Sequence, residues 1–158
     1  MKRLFAVVLV AFLIVATVLI TAAPALAAPY ETGIWTGRGT VGSSVNVTFS
    51  FRSHHSLGYE DSMKVAWGHY RFQLTQLTYV EVVDDPTISP EPPAVNDTMH
   101  GIGVGECNGV AGCQVEFIFT DAGKGGQYDW AWIKITDLSA DTVLETSGFL
   151  AKGNIRAG

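Results

Sequence analysis

Ser44-Val45-Asn46-Val47-Thr48-Phe49-Ser50-Phe51-Arg52 is the stretch that decides the fold class. Apolar and polar residues alternate through it, so Val45, Val47, Phe49 and Phe51 share one face and Asn46, Thr48, Ser50 and Arg52 the other. Successive side chains of extended backbone point to opposite sides, so this period of two is the mark of a half-buried strand. Trp35–Val41 reads as its partner on the N-terminal side, and Ser53–Ser62 as a polar loop on the other. Met63–Val83 is rich in β-branched and aromatic residues but changes register. Met63, Val65 and Trp67 share one parity and Tyr70, Phe72 and Leu74 the other, with Gly68 between them as a bulge or turn. Leu77, Tyr79 and Val80 force a second break, so two or three short strands are expected here. Thr98–Glu106, Gln114–Thr120, Tyr128–Asp137 and Thr142–Ile155 complete the set, the last broken at Gly148 or Gly153. No helix is demanded and no internal repeat is evident. Many short strands with glycine-rich turns predict an all-β domain, an antiparallel β-sandwich, with a partly closed β-barrel as the alternative.

The 158 residues are 47% hydrophobic and only 16% charged, with a formal net charge of −5. The apolar excess sits in the first 27 residues. Lys2-Arg3 is followed by an apolar run from Leu4 to Ile20, then Pro24 and the small-x-small triplet Ala25-Leu26-Ala27. That order is a secretory signal, with cleavage expected after Ala27. The run is long enough that an uncleaved N-terminal anchor is the competing reading. Cleavage leaves residues 28–158 as a single all-β domain, with an exposed Pro-rich loop at 84–97. Losing Lys2 and Arg3 takes the charge from −5 to −7. An acidic domain argues against a sequence-independent nucleic-acid binder and against docking on anionic lipid.

Export implies an oxidising compartment, where Cys107 and Cys113 are expected to form a disulfide across a hairpin loop, Asn108-Gly109-Val110-Ala111-Gly112. A redox or metal site is the weaker alternative, because the spacing is not C-x-x-C and no second pair completes four ligands. If the two cysteines face each other, Gly101, Gly103 and Gly105 lie opposite Phe119, Phe117 and Val115, whose side chains cover a strand that has none. Ala131, Ile133 and Ile135 then join that face, which is the predicted core. His100, Ile102, Val104, Glu116, Ile118, Tyr128, Trp130, Trp132 and Lys134 fall on the opposite face.

The run Gly101-Ile102-Gly103-Val104-Gly105, the strand Val115–Thr120, the loop from Asp121 to Asp129, Trp132-Ile133-Lys134-Ile135-Thr136-Asp137 and Gly153-Asn154-Ile155 together resemble the bacterial post-COAP domain family. So does Val65–Tyr79, with Gly68-His69-Tyr70 near its start. The likeness covers roughly residues 33–156. It implies a small secreted β-domain of unassigned activity, and so a fold and a location but no chemistry. The Cys107–Cys113 loop and the long proline loop depart from the family pattern.

Four constellations bear on chemistry. Tyr128, Trp130 and Trp132 alternate and so project from one side of a strand. Exposed, they would stack on sugar rings or peptides with His100, Glu116 and Lys134 nearby; the competing and preferred reading makes the tryptophans sandwich core. Asp121 and Asp129 bracket three glycines, a setting in which oxygens can hold Ca²⁺. The preferred reading is an Asx-turn at Asp121 and a strand start at Asp129. The histidines His54, His55, His69 and His100 lack the spacing of a zinc site. No G-x-S-x-G elbow occurs. Asn46-Val47-Thr48 and Asn96-Asp97-Thr98 are glycosylation sequons on a polar strand face and in the exposed loop.

The sequence therefore leads to a secreted extracellular module with a non-catalytic binding or structural role toward a glycan or protein ligand, without a cofactor unless Ca²⁺ binds. A small secreted hydrolytic enzyme is the alternative. A third reading is an inhibitor or surface interaction protein using the Asp84–Asp97 loop.

Overall fold

The computed structural model describes residues 33–52, 61–88, 96–123 and 125–158. The expected export segment, Met1–Ala27, and the pair His54-His55 lie outside those residues. Eight strands follow in order: β1 Ile34–Val41, β2 Val45–Arg52, β3 Ser62–Trp67, β4 Tyr70–Val83, β5 Thr98–Cys107, β6 Val110–Thr120, β7 Trp130–Thr136 and β8 Thr142–Arg156. Each pairs antiparallel with the next, and β8 returns to pair with β1, closing a barrel. The expected sandwich is thus corrected to its alternative. The reason lies in β4 and β8, the two longest strands. β8 pairs with β7 through Phe149 and with β1 from Leu150 onward, so one continuous strand turns the corner between what would have been two sheets. Gly148 and Gly153 do not break it. β4 does the same, pairing with β3 over Tyr70–Gln73 and with β5 over Phe72–Val83.

Around the first corner, the break expected at Gly68 is a two-residue turn with Gly68 at φ +54°. The second expected break is instead a pair of bulges in β4, between Leu74 and Gln76 and between Leu77 and Tyr79. There the hydroxyls of Thr75 and Thr78 donate to the carbonyls of Val104 and Ile102, both at 3.0 Å. A bulge leaves ladder groups unpaired and increases local twist, which suits a strand that must bend around a barrel.

The alternation read in Ser44–Arg52 is the burial pattern of β2, with Val45, Val47, Phe49 and Phe51 inside and Asn46, Thr48 and Ser50 outside. The predicted core face of the second half is also inside: Val115, Phe117, Phe119, Ala131, Ile133 and Ile135 are all fully buried. The interior is filled by apolar side chains, and the outer faces of β1 and β2 are polar.

Pairing shows an internal two-fold repeat that the sequence did not reveal. In the first half Trp35, Gly37, Gly39 and Val41 face Phe51, Phe49, Val47 and Val45. In the second, Met99, Gly101, Gly103 and Gly105 face Phe119, Phe117, Val115 and Cys113. The next ladder repeats too: Met63 and Val65 face Phe49 and Val47, as Ile133 and Ile135 face Phe117 and Val115. Four phenyl rings stack where the halves meet. Phe49 lies 4.0 Å from Phe119 and Phe51 lies 5.0 Å from Phe117 between halves, while Phe49–Phe51 and Phe117–Phe119 stand at 5.3 and 4.8 Å within them. Exchanging the halves maps each ring pair onto its counterpart. The glycines of β1 and β5 make the room. A Cβ on Gly101 would stand 2.2 Å from the Phe117 ring, and one on Gly37 would stand 2.3 Å from Phe49.

Candidate functional site

Cys107 and Cys113 form the expected disulfide, with Cα atoms 5.9 Å apart. They do not face each other. Asn108 and Gly109, at φ +52° and +82°, make a two-residue turn that places Cys107 opposite Val110, and a bulge after Gly105 brings Cys113 opposite Gly105. Both φ values are positive, as a type I′ hairpin requires, and Asn-Gly is the dipeptide that adopts it most readily. The partners of Gly101 and Gly103 are therefore Phe117 and Val115, two residues from the expected register, on the same face. In the β6–β7 ladder Ala131, Ile133 and Ile135 face Phe119, Phe117 and Val115, on the expected face.

The aspartates at the loop end of the barrel hold loops. Asp121 Oδ1 accepts from the Gly123 amide at 2.9 Å, which is the Asx-turn, and its Oδ2 accepts from the Ala157 amide at 2.9 Å. Asp129 is fully buried immediately before β7. Its two oxygens accept from the amides of Ala122, at 3.1 Å, and Ile155, at 2.6 Å. The acceptors proposed for Ca²⁺ are thus turned toward N–H donors. Among the described residues no group of three or more His, Cys, Asp or Glu side chains could hold a metal ion. Burial, then the nearby Asp121 charge, pushes the Asp129 carboxyl up, against the lowering effect of its two amide bonds.

Asp97 is also buried and ties Asp85 to the start of β5. Its Oδ1 accepts from the Asp85 amide at 2.9 Å and the Thr98 hydroxyl at 3.0 Å, and its own amide donates to Val83. Its Oδ2 has no partner among the described residues. Burial pushes this carboxyl up as well, with the Asp84 and Asp85 charges adding to it.

Trp130 and Trp132 lie on the outer wall, half-buried, with Ala131 between them facing inward. They do not fill the core, which corrects the preferred reading: the inward positions of β7 are Ala131, Ile133 and Ile135, so the alternation of the strand turns both indoles outward, and the one indole inside the barrel among the described residues is Trp35. Of the four candidate ligand residues, two come together. Tyr128 and Trp130 line a groove of about 570 Å³ with Phe149 and Ile118. Asp85, Thr87, Thr98 and Thr120 supply its polar groups. Tyr128 and Phe149 are each 63% exposed. Trp132 sits one row along, between Ile118 and Ser147. His100 stands two strands away, 3.0 Å from Glu116 and edge-on to Tyr79, and does not line the groove. Phe149 was missed because its side becomes known only once the β7–β8 register sets it opposite Trp130.

The groove's hydroxyls are arranged in one direction. Thr87 donates to Asp85 Oδ1 at 2.7 Å. Thr98 donates to Asp97, so its oxygen accepts from Thr120 at 3.1 Å. Asp85, with the Thr87 hydroxyl and amide on one oxygen, has its carboxyl held below the usual range by those hydrogen bonds. It is the one carboxylate lining the groove among the described residues, so an acid pair of the glycosidase kind is not assembled there.

A second groove of about 500 Å³ lies at the opposite end of the strands around the disulfide, lined by Trp67, Tyr70, Val110, Leu138 and Val143, with Asp137 as its one charged group. Of the sequons, Asn46 is exposed on the outer face of β2, where its Oδ1 accepts from Thr40 at 3.0 Å, and Asn96 is half-buried beside Asp97. No family model, curated protein or solved structure matches the chain.

Proposed function

We propose that this protein is an extracytoplasmic β-barrel binding module of the post-COAP type, and that it takes a carbohydrate in the groove formed by Tyr128, Trp130 and Phe149. The observation that carries this reading is the convergence of three aromatic side chains from the β6–β7 loop, β7 and β8 on one concave surface rimmed by a carboxylate and threonine hydroxyls. Aromatic rings left in water cost free energy that burial would recover, and clustered apolar surface with a polar rim marks binding sites. Flat rings offer stacking to the apolar faces of sugars, and the rim offers hydrogen bonds to hydroxyls. The disulfide is consistent with an oxidising, extracellular setting.

The reading is tested by titrating the purified protein with soluble oligosaccharides and following tryptophan fluorescence. Tyr128→Ala removes a largely exposed ring; it is expected to leave the melting temperature within about 2 °C and to weaken binding roughly tenfold, the equivalent of about 1.4 kcal/mol. Trp130→Ala should weaken it further. Binding that survives both substitutions unchanged would place the ligand elsewhere.

A further inference from the structure

The threonine hydroxyls lining the aromatic groove have their protons engaged. Thr87 donates to Asp85, Thr98 to Asp97, and Thr120 to Thr98. Each threonine hydroxyl therefore turns lone pairs, and no proton, toward the groove, and the side-chain donors of the lining are the Tyr128 phenol and the Trp130 indole N–H. Asp85 adds a carboxylate whose Oδ2 has no hydrogen-bond partner among the described residues. Among the described residues no lysine, arginine or histidine lines the groove. A ligand that only accepts hydrogen bonds would meet acceptors at these positions. A ligand that donates, and above all one that is cationic, would meet complementary groups and aromatic faces at once. Aromatic rings attract ammonium groups through the negative potential of their faces, more strongly where water is partly excluded. A protonated amine supplies three donors and no acceptor.

We infer that the groove selects a sugar carrying a free amine, a β-1,4-linked glucosamine oligomer in its protonated form, with the ammonium seated between Asp85 and the rings of Tyr128, Trp130 and Phe149. This inference rests on the carbohydrate reading and adds the charge of the ligand to it. The sugar is preferred to a lysine-bearing peptide because the lining adds the hydroxyl acceptors of Thr98 and Thr120 to the single carboxylate. They suit a row of hydroxyl donors better than one side-chain amine. The low pKa of the Asp85 carboxyl keeps it ionised in mildly acidic solution, where the sugar amine is charged.

The experiment compares four probes by calorimetric titration of the purified protein at mildly acidic pH: a glucosamine hexamer, an N-acetylglucosamine hexamer, cellohexaose and a trimethyllysine peptide. The glucosamine hexamer is expected to bind about tenfold more tightly than the other two sugars, and added salt should erode that margin because it rests on charge. Asp85→Asn should abolish the margin, bringing the glucosamine hexamer to the affinity of the two neutral sugars for the same variant. Equal binding of all three sugars, or a margin indifferent to Asp85→Asn, overturns the inference and leaves the carbohydrate reading standing. Tight binding of the peptide alone overturns the choice of a sugar, and binding of none of the four overturns both readings.

Discussion

At Gly101 the barrel has no room for a methyl group. A Cβ there would fall 2.2 Å from the edge of the Phe117 ring, and that ring is locked in the four-membered stack. Gly101→Ala is therefore expected to lower stability by about 1–3 kcal/mol, the usual cost of overpacking a core. His100→Ala, next to it but outside, should cost less. Urea unfolding of the two variants checks this, and equal midpoints would show that the stack can yield. The covering of Gly101 by a β6 phenyl ring is legible in the sequence, since Gly101, Gly103 and Gly105 alternate against Val115, Phe117 and Phe119, whereas Gly103 and Gly105 lie against Leu74 and Phe72 of β4. The identity of each partner is not. A slide of two residues keeps every side chain on its own face, so the alternation cannot detect it. Only the Asn108-Gly109 turn, with its demand for positive φ at both residues, resolves the slide. Trp130 and Trp132 show the same limit. Their parity opposite to Ala131 and Ile133 was readable, but whether that side met solvent or a second sheet depended on how the strands closed.

At the scale of elements, three buried aspartates hold the loops to the barrel, and they differ in what their charge costs. Asp129 uses both oxygens on backbone amides, whereas Asp97 leaves Oδ2 unpartnered. Asp129→Asn keeps one acceptor where two are needed and is expected to cost about 1–3 kcal/mol, because a buried amide loses its partner. Asp97→Asn keeps the acceptor for Asp85 and Thr98 and removes a buried charge, so it should be neutral or stabilising. Both carboxyls are pushed above their ordinary value of 3.8, chiefly by burial. The folded state therefore holds these protons more tightly than the unfolded chain does. Their contribution to stability rises as pH falls from neutral through the raised folded values, levels off below 3.8, and is lost as pH rises again. Urea midpoints measured across the acidic range should show this trend in the native protein and less of it in Asp97→Asn. An undiminished slope in the variant would remove Asp97 from the account. The Asx-turn at Asp121 was readable from Asp-x-Gly alone. The role of Asp97 was not, because its partners at Asp85 and Asp121 become neighbours only when β4, β5 and β6 are side by side.

For the molecule as a whole, closure depends on the last seven residues of β8. Deleting Leu150–Gly158 removes every pairing between β8 and β1 and takes the Ile155 and Ala157 amides from Asp129 and Asp121. Two strand edges would then be open to other chains. The truncated protein is expected to lose its cooperative unfolding transition and to aggregate; a monomer that still unfolds cooperatively would show that closure is dispensable. The aromatic groove belongs to the same scale, since Tyr128 with Trp130, Phe149 and Asp85 come from three separated segments. What the sequence determined by itself is local: the strands, their inward and outward faces, the hairpin with its disulfide, and the glycine positions that phenyl rings cover. These follow from the two-residue period of extended backbone and from the φ values that Asn and Gly tolerate, both of which act over a few residues. The tertiary structure alone decided the barrel over the sandwich, the two-fold repeat of its halves, the exclusion of Trp130 and Trp132 from the core and the gathering of Phe149 with Tyr128 and Trp130. Each of these depends on register between strands, and register is set by how the long, bent strands β4 and β8 share their two neighbours around the ring stack.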